Sequence, residues 1–389
     1  MKLSKSVSRL GTETAFEVLA RAQALEKRGR DVVHLEIGEA DFDTPPNVCQ
    51  AAAEAIVEGH THYCKAQGID SLREEIAREV VGTRGISVDP GRVVVTPGAK
   101  PILFYSMLAL LEEGDEAIYP DPGFPIYESM IRFTGARPVS IPLREELGFR
   151  LDVDELRSKV TPRTRLLIIN SPQNPTGGVL EEEDIRSIAD IVLSSNMVVL
   201  SDEVYRCIIY EGRHHSIASL PDLLDRTILL DGFSKKYAMT GWRLGYAVMP
   251  PHLVEPVVRL IVNSVSCTPA FTQQAGVEAL AGPQETVAKM VAEFKQRRDL
   301  IVDGLNGITG ISCLRPKGAF YVFPNVSKLG MDCRQLADYL LETAGVATLS
   351  GTGFGKNGEG YLRLSYAASM ENLHKALVRI EDAVAQLPV

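Results

Sequence analysis

A few short segments of the sequence hold most of its chemically useful side chains. Lys235 lies in Phe233-Ser234-Lys235-Lys236, and Arg243 closes Met239-Thr240-Gly241-Trp242-Arg243. Asp202 and Tyr205 share Asp202-Glu203-Val204-Tyr205, and Asn174 sits in Ser171-Pro172-Gln173-Asn174-Pro175-Thr176-Gly177. Gly98, Ala99 and Lys100 stand in Pro97-Gly98-Ala99-Lys100, and Phe124 in Asp121-Pro122-Gly123-Phe124-Pro125. Small residues at Gly98-Ala99, where a helix opens, let backbone N–H groups reach an anion at the positive helix end. Ser234 adds a hydroxyl and Arg243 a bidentate cation, which completes a phosphate cradle. Asp202 at a strand end is a candidate buried carboxylate, stable only beside a cation or donor, such as a protonated pyridine nitrogen. Tyr205 and Asn174 can donate to a phenolate oxygen, and Phe124 can stack on a planar ring. Lys235 is an amine able to form a Schiff base. A phosphate, an aromatic cation, a phenolate and an aldehyde together describe pyridoxal 5′-phosphate (PLP).

A sheet would position these residues. Val93–Thr96, Ala117–Tyr119, Arg165–Asn170, Met197–Ser201, Thr227–Asp231 and Leu244–Met249 read as strands. Ile102–Leu111, Ile126–Phe133 and Glu181–Leu193 read as helices between them. The alternation predicts an α/β fold with a mostly parallel central sheet and helices on both faces. Ligands bind such sheets beyond the carboxyl ends of the strands. Four of the segments each follow one of these strands. Alone, each is an ordinary turn, a solvated loop or a surface lysine pair. Their common placement predicts convergence on one pocket.

Residues 11–35 predict an amphipathic helix running into a short apolar stretch, and residues 284–389 a long helix, Glu285–Leu305, then short strands and helices. Pro45-Pro46 and Gly282-Pro283 punctuate the chain. The expected organisation is a large domain over residues 45–283 and a smaller α+β domain built from residues 1–44 and 284–389. The glycine-rich run Ser350–Gly360 lacks the context of a dinucleotide loop and is expected to be a mobile surface loop.

The chain has 389 residues, with 41 Lys and Arg against 50 Asp and Glu, a formal net charge of −9. This acidic balance argues against a nucleic-acid surface. No run reaches ~18 uncharged apolar residues, and the N-terminus lacks a signal-like apolar core, so a soluble cytoplasmic protein without membrane partners is expected. The six cysteines are scattered, with no Cys-x-x-Cys pair and no histidine at ligand spacing. They read as reduced, mostly buried thiols, with no metal site. His60/His62 and His214/His215 are expected in surface loops.

The chain resembles the class I and II aminotransferases, PLP-dependent enzymes of fold type I, over nearly its whole length. Ser234–Arg243 is similar to the family's lysine-containing signature. In the family the Schiff-base lysine stands eight residues before the phosphate-binding arginine, which Lys235 does relative to Arg243. Asn174-Pro175-Thr176-Gly177, Asp202-Glu203-x-Tyr205 and Tyr361-Leu362-Arg363-Leu364-Ser365 also match. The resemblance implies that Arg363 binds the substrate α-carboxylate, helped by Asn174 and the backbone at Gly38. It implies that Tyr63 reaches the phosphate of a neighbouring subunit in a homodimer with active sites at the interface; a core aromatic is the alternative. The implied reaction is a ping-pong transfer of an amino group from an L-amino acid to a 2-oxo acid such as 2-oxoglutarate. Lys235 moves the Cα proton, and Asp202 keeps the ring nitrogen protonated. The pattern looks most like bacterial aspartate aminotransferases, with Lys100 facing a side-chain carboxylate. Alanine, aromatic or other amino acids, or a lyase reaction on the same fold, are the alternatives.

Overall fold

The computed structural model describes residues 3–387. At its centre is a seven-stranded sheet. Its order is Val93–Thr96, Gly245–Val248, Thr227–Gly232, Val198–Asp202, Thr164–Asn170, Glu116–Asp121 and Arg137–Pro142. Gly245–Val248 runs antiparallel to both of its neighbours, and the other strands are parallel to one another. The reversal has a local cause. Only the four-residue helix Phe233–Lys236 and a loop connect Thr227–Gly232 to Gly245, too little helix for a return crossover, so the chain doubles back.

Successive residues of the central strands face opposite sides. Leu166, Ile168, Leu200 and Leu230 belong to one apolar cluster, while Leu167, Ile169, Val199 and Leu229 belong to clusters on the other face. Both faces are therefore covered, as the unbroken apolar strands required. Arg137–Pro142 was not legible as a strand. It is an edge strand with two prolines and little burial, and edges tolerate both.

Beyond the sheet, Leu349–Ser350, Leu362–Ser365 and Tyr321–Val322 form a small antiparallel sheet, and Val33 pairs with Val346 in a two-stranded parallel one. The helices Glu285–Gly307 and Met370–Val384 pack there through Phe294, Ile301, Leu305, Leu373 and Ile380. Chain segments from near both ends thus meet. The helix expected over residues 11–35 is shorter, Thr14–Glu26; Gly29, at φ 84°, turns the chain out of it, as glycine does past a helix end.

Three expectations need correction. Only Cys313 and Cys333 are buried; Cys64, Cys207 and Cys267 are half-buried and Cys49 is exposed, and all six are free thiols. His214 is not a surface-loop residue, since its Nε2 lies 3.0 Å from the buried Glu203 carboxylate. The run Ser350–Gly360 is not a loose loop. Its two 3-10 turns bury Gly351, Phe354 and Gly358, and Asp121 accepts hydrogen bonds from the backbone and side chain of Asn357.

Candidate active site

The loops after four strands open onto one cavity of about 530 Å³. Ala99, Lys100, Phe124, Asn174, Asp202, Tyr205, Ser234, Lys235, Arg243, Gly38 and Arg363 all line it. Gly98 lies just behind, and a Cβ there would overlap the Arg243 guanidinium. Glycine at this position lets the arginine lie against the opening of the helix Lys100–Leu110. Arg243 itself sits at φ 55°, an uncommon backbone state for a residue with a Cβ that surrounding contacts must hold. Its guanidinium donates to the Thr240 carbonyl at 2.8 Å.

Asp202 ends its strand fully buried. Its Oδ2 accepts from the Tyr127 hydroxyl at 2.6 Å. Burial pushes the carboxyl up to about 6, partly offset by the Tyr127 hydrogen bond. Asn170, at the end of the neighbouring strand, donates to the Asp202 carbonyl at 3.0 Å and accepts from the Asn174 N–H at 2.9 Å. It ties the two loops in register. Among the described residues the Asn174 Oδ1 is buried with no hydrogen-bond partner; the donor this amide offers a ligand is its NH2.

Lys235 donates to the Gly38 carbonyl at 2.5 Å. Burial lowers its amine to about 8 against the opposing charge of Glu39, and Arg363, Lys100 and Arg243 lower it further. A Cβ on Gly38 would overlap the Tyr321 hydroxyl, so only glycine lets this backbone approach the lysine. Tyr205 and Tyr321 share a hydrogen bond of 2.6 Å. Arg363 is buried, donates to the Glu36 carbonyl, and lies 4.6 Å from the Tyr321 ring centre and 5.0 Å from that of Phe354.

Two expected residues stand apart. The Lys100 amine, expected to face a substrate carboxylate, pairs with Glu13 of this chain. Tyr63 is 89% exposed, which removes the core-aromatic alternative, and it does not line the cavity. Sequence reasoning missed Tyr127, Asn170, Tyr321, Phe354 and Glu13. Tyr127 had a signal, an aromatic three residues after Phe124 at the start of the same helical segment; Tyr321, in an apolar run, had none.

A buried ionic network backs the strand ends. Arg84 donates to Glu203 at 3.0 Å, to Asp231 at 2.8 Å and to Glu79 at 3.0 Å, and Arg206 donates to Asp231 at 2.6 Å. Burial alone would raise the Glu203 carboxyl, but His214 and Arg84 hold it at about 2. With its folded pKa depressed, Glu203 contributes stability above its unfolded value of about 4.3 that is lost as pH falls toward 2. Arg84→Leu should destabilise the protein by about 3–5 kcal/mol, because buried carboxylates lose their partner. Urea unfolding at pH 7 checks this; a change under about 1 kcal/mol would show the network dispensable.

The residues present fit PLP. A cationic cradle at a helix start, a buried carboxylate lacking a cation, a free amide and a buried amine match its phosphate, ring nitrogen, phenolate oxygen and aldehyde in turn. Fold and pocket together define a fold type I, PLP-dependent enzyme. A profile of the family described as aminotransferase class I and II matches residues 30–380. An aspartate aminotransferase of Pyrococcus horikoshii is 43% identical over 95% of this chain and 93% of its own length. Aromatic-amino-acid aminotransferase 2 of Thermococcus litoralis is 38% identical over 99% of each chain. The structure of Thermus thermophilus aspartate aminotransferase with maleate superposes with a TM-score of 0.95 at 37% identity, covering 98% of this chain and 100% of that one. The chain belongs to the class I and II aminotransferases, and it transfers amino groups with PLP.

Proposed function

We propose that the enzyme takes its amino group from an acidic L-amino acid, aspartate first, and passes it to a 2-oxo acid such as 2-oxoglutarate. The observation that carries the site assignment is that Lys235, Asp202, Arg243 and Arg363 converge on one cavity. Relatives named for aspartate support the donor, as does a cation, Lys100, in the same cavity. The relative named for aromatic amino acids keeps that donor class as the alternative.

In this reading Gly98, Ala99, Ser234 and Arg243 bind the phosphate, and Asp202 holds a proton on the ring nitrogen. Asn174 and Tyr205 donate to the phenolate oxygen, and Phe124 covers the ring. Arg363, Asn174 and the Gly38 backbone orient the substrate α-carboxylate. The Lys235 Nζ would take the substrate Cα proton and carry it through the transfer. PLP, when bound, supplies the electron sink that makes this proton acidic. Tyr63 is assigned to the partner's phosphate in a cytoplasmic homodimer. The domain division at residues 44/45 and 283/284 is part of the same reading, with Arg363 on the smaller domain and Lys235 on the larger. Among the described residues no helix is long and apolar enough to cross a membrane.

A panel of amino donors tests the substrate: negligible turnover of aspartate and glutamate beside strong turnover of another class would refute the acidic donor. The Lys235 amine also sets a pH dependence. Its pKa is lowered, so the neutral nucleophile should form with a midpoint near 8, not 10.5. The rate at which apoprotein captures PLP, followed by visible absorbance, should rise roughly fivefold from pH 7 to 8 and level off above. A rate still climbing steeply at pH 10 contradicts the assignment.

A further inference from the structure

One carboxylate in the cavity has no part in the reaction so far. Glu13 precedes the helix Thr14–Glu26, yet its side chain caps no backbone N–H. It pairs instead with the Lys100 ammonium. Both residues line the substrate cavity together with Phe16, Phe124 and Arg363. The Glu13 side chain is 17% exposed and that of Lys100 45%. The Lys100 Nζ stands 5.8 Å from the Phe16 ring centre and 5.4 Å from that of Phe124.

The segment before Glu13 fixes its approach. Arg9 donates to the Phe133 carbonyl at 2.9 Å, and the Gly11 N–H to the Ser129 hydroxyl at 2.9 Å. Both acceptors lie on the helix Ile126–Thr134. The charge of Glu13 also reaches the α-carboxylate end of the cavity. There burial moves the Tyr321 hydroxyl up and the Arg363 guanidinium down, and Glu13 pushes both up. Glu13 therefore pairs with one cation of the cavity, and its charge reaches the other, Arg363.

A carboxylate already seated on a cation competes with an incoming one. An acidic donor has to take Lys100 from Glu13. The displaced Glu13 still sits at a helix N-terminus, where negative charge is favoured. A neutral donor instead meets a compensated ion pair flanked by two aromatic rings.

We propose that Glu13 is a resident occupant of the Lys100 subsite and sets donor choice: neutral apolar side chains enter with the pair intact, acidic ones only by displacing Glu13. The inference rests on the transamination reading above. It is tested on holoenzyme with aspartate and phenylalanine as donors, and by calorimetric titration with succinate, an unreactive dicarboxylate. In Glu13→Gln the aspartate-to-phenylalanine ratio of kcat/KM should rise about fivefold, and succinate should bind tighter by a similar factor. Adding Lys100→Gln should erase both gains. Glu13→Ala is a second variant with the same expected shifts. An unchanged ratio with unchanged succinate affinity, or an equal fall for both donors, overturns the role of Glu13 and leaves transamination standing. A wild-type holoenzyme that accepts an amino group from neither donor overturns the donor reading itself, and this inference with it.

Discussion

Lys235→Ala should abolish amino-group transfer, lowering kcat/KM roughly 10⁴-fold, the upper range for removing a positioned general base. The lysine is the buried amine of the cavity whose burial and cationic neighbours hold it near 8. It can therefore be neutral at working pH, which proton removal from Cα requires. The adjacent Lys236 is also lowered to about 8, chiefly by burial and then by Arg206. It does not line the cavity but approaches Glu79 at 3.4 Å. The variant should also lose the borohydride-trappable adduct with PLP while keeping cofactor affinity from the phosphate cradle. Lys236→Ala should keep the adduct. Retention of the adduct in Lys235→Ala, with loss in Lys236→Ala, would reassign the reaction.

Asp202→Asn should cost roughly 10³-fold in kcat/KM, a loss of the size seen when a preorganised electrostatic partner is removed. Asparagine is nearly isosteric and can still accept from Tyr127, so the loss should come from charge and not from packing. Stability separates the two. Without a cation, the Asp202 carboxyl has a folded pKa near 6, above its unfolded value. Ionising it is penalised in the folded state, so the apoprotein loses stability as pH rises from about 4 to about 6 and stays level above. The Asp202→Asn variant avoids that penalty and should be no less stable than wild-type apoprotein at about pH 7.5 in thermal melts. A loss of activity under tenfold would remove Asp202 from its role at the ring nitrogen.

Much of this site was legible because it sits at strand ends. Runs such as Leu166–Ile169 and Ile228–Leu230 are apolar through their length, so their ends are marked by the first polar residues. Asn174, Asp202, Ser234 and Lys235 lie within a few residues of such ends. Tyr127 and Asn170 were harder, because an aromatic on a helix and an asparagine closing a strand have ordinary structural uses. Tyr321 and Phe354 come from chain far from the central strands. No local pattern says that they face Arg363, and the loop bearing Phe354 was misread as mobile because glycine density alone does not report packing.

Sequence by itself determined the mostly parallel sheet, the order of the polar strand ends along the chain and the chemistry of a PLP amine site. Those follow from local rules: side-chain period, apolar run length and the reactivity of each residue type. Tertiary structure alone decided where each charge finds its partner. Lys100 meets Glu13 from 87 positions away along the chain, and Arg84 meets Asp231 from 147. Ion pairing depends on distance in space, which sequence spacing does not encode beyond a helical turn or a strand pair. The net charge of −9 hides these arrangements.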